Sequence, residues 1–190
     1  WQAGPGANAR GAMACMPFGG RVLFTQSEAS AAQNGDTELG VIKGATPIDQ
    51  GMAIHENDFT IYNSKIAVAF AVGSNNYWNM TSGSILDVAV RKDGKFGVDL
   101  VNDIEFLNDL WTATGSWEGE DLLHVPAADI VCRQDADKIT VTAKTRYWTA
   151  GHQKPLNVVI EYPLEAGKNY VGLKTTVENP AGNEPYENMY

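Results

Sequence analysis

Basic residues are scarce in this chain: 14 Lys and Arg stand against 23 Asp and Glu, for a net charge of −9. A field of that sign repels phosphate backbones and anionic lipid, and no Lys/Arg cluster makes a local exception. Nucleic acid is therefore not an expected partner. Long apolar runs are missing too. The longest, Ile66 to Val72, is strand-sized, well short of the roughly 18 residues a membrane-spanning helix needs. No membrane insertion is expected. Histidine is nearly absent, and His55, His124 and His152 are scattered, with no H-x-x-x-H or C-x-x-C spacing to make a metal site. The glycine clusters Gly4-Pro5-Gly6 and Phe18-Gly19-Gly20 do not fit a phosphate-binding loop, and no G-x-S-x-G nucleophile elbow occurs. The sequence thus implies no cofactor.

Acidic residues offer the remaining route to chemistry. Asp99, Asp103, Glu105 and Asp109 are hard oxygen donors of the kind Ca²⁺ takes, but their order lacks the EF-hand spacing and its glycine. A solvated acidic face is the plainer reading; Ca²⁺ stays open. Glycosidase carboxylates sit about 5–10 Å apart, and nothing in the spacing of these residues fixes such a distance. Only two cysteines are present, Cys15 and Cys132. They form either one long-range disulfide, tying the N-terminal region to the strand region in an extracytoplasmic protein, or two isolated buried thiols.

What the chain has is a β pattern. Its 190 residues, 44% of them hydrophobic, suffice for one domain with a sizeable core. Residues 1–20 are rich in Gly and Ala without a clean period and read as an irregular arm, leaving residues 21–190 for one β domain. Arg21 to Gln26 and Leu39 to Lys43 are short strand candidates. Phe59 to Val72 (FTIYNSKIAVAFAV) reads as two strands folded on an Asn63-Ser64 turn. Ile85 to Val90 and Phe96 to Val101 flank Asp93-Gly94, a pair suited to a type I′ turn because both central positions need φ > 0. Alternation in Ile139 to Trp148, again in Leu156 to Tyr162, and a third strand over Tyr170 to Glu178 predict an antiparallel meander. Asn102 to Leu110 is the best short-helix candidate, with Asn102 as cap. The expected fold is all-β, an antiparallel β-sandwich with at most one or two short helices.

Two segments carry a resemblance. LNVVIEYPLEAGKNYVGLKTTVENPAGNEPY, with Asn179-Pro180-Ala181-Gly182 closing a strand, resembles the long-strand region of supersandwich domains, the galactose-mutarotase-like β-sandwiches. KIAVAFAV followed by GSILDVAV is similar to the start of such domains in large secreted bacterial proteins. The resemblance spans about residues 58–180 and implies fold and context only, since the His and acidic residues of catalytic mutarotases do not map onto this chain.

Aromatics beside amides form the most suggestive constellation. Tyr77 and Trp78 lie among Asn75, Asn76 and Asn79, Trp111 and Trp117 flank a Thr/Gly/Ser loop, and Tyr147 and Trp148 end a strand. Sugar rings stack their C–H faces on indole or phenol while amides bond hydroxyls; the competing role for such aromatics is core filling. Asn76, Tyr77, Trp78, Asn79, Trp111 and Trp117 are the candidate ligand contacts, with a glycan as candidate partner. Low Lys, plentiful Asn, Gly, Thr and Trp, and the Asn79-Met80-Thr81 acceptor triplet lean towards an extracellular, periplasmic or cell-surface location. The leading expectation is a non-catalytic module of a longer polypeptide, contributing carbohydrate contact or scaffolding. Two alternatives stand: the N-terminal part or one subunit of a secreted carbohydrate-active hydrolase or lyase whose catalytic residues lie after Tyr190 or on a partner chain, and a surface-assembly subunit whose arm packs on a neighbour.

Overall fold

A computed structural model describes residues 21–26, 35–74, 83–101, 104, 123–148 and 156–183. Among them the chain forms β1 (Arg21–Gln26), a 3-10 turn at Gly35–Thr37, β2 (Leu39–Lys43), β3 (Phe59–Asn63), β4 (Ile66–Phe70), β5 (Ile85–Lys92), β6 (Lys95–Phe96), β7 (Leu123–Gln134), β8 (Lys138–Trp148), β9 (Leu156–Glu165) and β10 (Lys174–Glu178). Two five-stranded sheets result, ordered β1-β7-β8-β9-β10 and β2-β3-β4-β5-β6. Every pairing between neighbouring strands is antiparallel except β1 on β7, which is parallel. The expected all-β sandwich is what the chain builds. The arm, residues 1–20, lies outside the described residues. So does the helix candidate apart from Ile104, which bridges Ile85.

Both hairpins form at their local turn signals, but the return strand expected over Phe96 to Val101 is only Lys95–Phe96: beyond it Gly97 N still bonds Val90 O while Val98 turns to bridge Asp49, outside the regular ladder. Asp93 and Gly94 take φ of 50° and 74°, the left-handed pair that a type I′ turn requires. The first hairpin turns one residue later than the sequence suggests, on Ser64-Lys65, because Tyr62 pairs with Ala67 and Asn63 faces Ile66. Asn63 acts as the clasp. Its Oδ1 accepts from Lys65 N at 2.8 Å and Ile66 N at 2.9 Å, an Asx arrangement that short polar side chains favour. Its Nδ2 reaches the other sheet, donating to Glu165 O and Lys168 O at 2.7 Å each.

The expected antiparallel meander forms, but its third strand is shorter than Tyr170 to Glu178. Gly172 N donates to Pro163 O at 2.8 Å, and proline has no N–H to return the bond, so the ladder does not extend past Lys174. One long strand, β7, was not expected at all. Pro126 and a bulge between Val125 and Asp129 break its alternation, the combination that hides a strand from a period-2 search.

The core lies between the sheets. Phe59, Ile61, Val68, Phe70 and Ile85 of one sheet meet Ile130, Val141, Ile160, Tyr162 and Leu164 of the other. Phe59 stacks on Phe70 at 5.2 Å and meets Phe24 edge-on, while Phe70 meets Tyr162 at 5.1 Å. A second layer covers the outer face of the β2–β6 sheet. There Ala67, Ala69, Ala71 and Ala89 present small side chains, and Ile48, Ala53 and Leu86 pack on them. Alanine lets the backbone of residues 44–58 approach the sheet closely, so β4 is buried along its whole length. This buried-on-both-sides strand explains why IAVAF reads as an unbroken apolar run rather than an alternation.

Candidate functional site

Residue 58 sits just before β3 and residues 71–74 just after β4. Since Phe59 pairs with Phe70, the hairpin register brings them together at its open end. The Asp58 carboxylate, 1% exposed, gathers that end. Its Oδ1 accepts from Val72 N, Gly73 N and Ser74 N at 2.8, 2.8 and 3.1 Å. Its Oδ2 accepts from His55 N at 2.8 Å and from the Ser74 hydroxyl at 2.5 Å. Burial opposes the charge, but these donors outweigh it and hold the carboxyl below its ordinary range.

An aspartate, a serine and a histidine in one cluster invite comparison with a nucleophilic triad, and the wiring rejects it. In a triad the histidine takes the serine proton and the aspartate orients the histidine. Here the Ser74 hydroxyl donates its hydrogen bond directly to Asp58. Its oxygen accepts from Ile54 N at 3.0 Å and His55 N at 3.1 Å. The His55 ring accepts at Nδ1 from Asn57 N at 3.1 Å and packs so closely on Gly73 that a Cβ there would overlap it. The cluster pins residues 54–57 to the hairpin.

Asp87 does the same for the next part of that segment. At β5 the register slips between Ala69 and Phe70, and the bulge turns both Leu86 and Asp87 to the outer layer. The fully buried Asp87 carboxylate accepts from Met52 N at 2.6 Å and Ala53 N at 3.1 Å. Desolvation pushes its carboxyl up, and the negative charges of Asp99 and Asp58 add to the effect. Asp99, among the residues weighed for Ca²⁺, instead spends Oδ1 on Val88 N and Val101 N. Among the described residues no group of three or more His, Cys, Asp or Glu side chains is placed to hold a metal ion.

Beside Asp58 a cleft of about 160 Å³ opens at the sandwich edge, lined by Val22, Phe24, Lys43, Glu56, Asn57, Asp58 and Val72. The Lys43 ammonium lies 4.2 Å over the Phe24 ring, a cation–π contact between two of the lining residues. Neither Asp58 nor Ser74 stood out in the sequence; the signal was the hairpin register itself, which sets residue 58 opposite residue 71.

The residues picked from the sequence fare differently. Asn76, Tyr77, Trp78, Asn79, Trp111 and Trp117 lie outside the described residues, and so does Cys15. Cys132 is on β7 with its side chain in the core, 1% exposed; burial pushes its thiol up to about 12 despite the Lys43 charge. No helix among the described residues is long and apolar enough to cross a membrane. Comparisons with family models, with curated proteins and with solved structures return no match for this chain.

Proposed function

We propose that the chain is a non-catalytic β-sandwich module of an extracytoplasmic protein, of the supersandwich kind, contacting carbohydrate through Tyr77, Trp78, Trp111 and Trp117 with Asn76 and Asn79 as hydrogen-bonding partners. The observation that carries this reading is where the two aromatic-bearing segments are rooted. Gly83 N donates to Ala71 O at 2.8 Å, Ala71 N to Ser84 O at 2.9 Å, and Ile104 N to Ile85 O at 2.8 Å. Ala71, Gly83, Ser84 and Ile104, the described residues nearest the two segments in sequence, are therefore held together at one end of β4 and β5. Apolar platforms beside amides are what a sugar site needs, and Tyr77, Trp78, Trp111, Trp117, Asn76 and Asn79 are residues of that chemistry in the two segments anchored there.

The buried carboxylates support the non-catalytic half of the proposal. Asp58 and Asp87 are occupied by backbone donors, which leaves neither free to exchange a proton with a substrate. The net charge of −9 favours a neutral glycan over one bearing sulfate or uronate. A glycan array probed with the isolated chain tests the reading. Binding lost in Trp78→Ala with an unchanged melting temperature is the expected result. A destabilisation of about 3–5 kcal/mol, the cost of emptying a buried Trp position, would assign Trp78 to the core. Absence of any glycan signal from the wild-type chain would overturn the contact role.

A further inference from the structure

We infer that β10 is a self-association edge, pairing antiparallel with β10 of a second copy across a twofold axis at Thr176. All five residues of β10 are exposed, and among the described residues no strand lies beyond it in the sheet. The polarity of its backbone follows from the pairing with β9. Gly172 N bonds Pro163 O, and the register runs on from that pair through Lys174↔Glu161, Thr176↔Val159 and Glu178↔Asn157. In an antiparallel ladder those alternate residues point their N–H and C=O at the partner, so Thr175 and Val177 point theirs outward. An open row of donors and acceptors is a template for another strand.

The sequence KTTVE says which strand fits. A twofold at Thr176 sets Thr175 against Val177 of the second copy, where the outward groups bond reciprocally. It sets Lys174 against Glu178 of the second copy, at the positions where cross-strand side chains lie closest. Lys174 already binds Glu161 at 2.8 Å. The outer face would then carry an alternating row, Glu161, Lys174 and the second copy's Glu178, and the same row again by symmetry. On the inner face Val177, 39% exposed, would continue the apolar row begun by Val158. Charges on an edge usually deter pairing; here a twofold makes them complementary, and any parallel pairing in register would oppose like charges.

One strand edge buries less than the roughly 1,000 Å² of a stable interface, so the dimer is weak and is sought at roughly 10 μM to 1 mM by sedimentation velocity on the full chain. Glu178→Lys, which leaves the Lys174–Glu161 contact in place, should raise the dimer Kd at least about tenfold by setting two like-charge pairs across the axis. Lys174→Glu should do the same, and the double swap Lys174→Glu/Glu178→Lys should restore wild-type association. Melting temperatures confirm that each variant folds. A chain that stays monomeric through this range overturns the inference. Dimerisation unchanged in Glu178→Lys would move it to another surface, and failure of the double swap to rescue would overturn the twofold register.

Discussion

Asp58 accepts five hydrogen bonds and Asp87 two, and the difference sets the sign of each carboxylate's contribution to stability. Asp58 has a folded pKa below the ordinary 3.8. Its contribution is complete above that value and is lost as pH falls through the folded value. Asp87 is raised above 3.8, so the fold holds its proton more tightly than the unfolded chain does. Stability then declines as pH climbs from 3.8 through the raised value. Denaturant unfolding of Asp58→Asn should show a loss of about 2–4 kcal/mol at pH 7, from donors left without an acceptor, shrinking below pH 4. The cost of Asp87→Asn should run the other way, growing as pH drops towards 3.8. Parallel pH slopes for the two variants would sink this account. The sequence could not show these roles. In ILDVAV, Asp87 reads as the solvent-facing residue of an alternating strand, and only the covering segment 44–58, which has no period of its own, buries it.

At the level of elements, legibility followed turn chemistry. The β5–β6 hairpin was readable because Asp93-Gly94 names its turn, and the β8–β9 pair because Ile139, Val141, Leu156 and Val158 keep strict alternation into the core. β7 was opaque: Pro126, two alanines and a bulge interrupt the period in a strand that only its neighbours hold extended. The candidate site was less legible still, since Asp58, Ser74 and His55 converge through register, which no local motif encodes. Two glycines separate conformation from space as causes of glycine use. Gly94 has φ of 74° with nothing within 4 Å of an added Cβ, so Gly94→Ala should cost about 1 kcal/mol from backbone strain alone. Gly40 lies under the Tyr62 ring, which Phe96 meets edge-on and the Arg91 guanidinium covers at 4.3 Å. Because those contacts oppose a shift of the ring, Gly40→Ala should cost about 2–3 kcal/mol. Urea midpoints that rank the two variants in reverse would show that the ring moves freely.

For the molecule as a whole, Cys132 is a built-in reporter. Its thiol is buried and pushed up to about 12, so alkylation mapped to Cys132 by mass spectrometry should occur only at the rate of global opening. Rapid labelling in native buffer would show that the core between the sheets opens locally. No labelling in denaturant without reductant would instead identify the Cys15–Cys132 bond. The overall sandwich was readable from the hairpins and the meander, whereas the parallel seat of β1 was not, because a six-residue strand carries no mark of which partner it will choose. That seat has a consequence for the order of events on the ribosome. Arg21 pairs with Asp129, 108 residues later in the chain, so β1 is synthesised long before the strand it pairs with exists. At roughly 5–20 residues per second it waits some 5 to 20 s for β7 to emerge. During that interval the β2–β6 sheet can already cover Phe24 through Phe59, but the backbone donors and acceptors of β1 have no strand to pair with, and the nascent chain offers chaperones and neighbouring chains an unclaimed strand that the finished protein no longer shows.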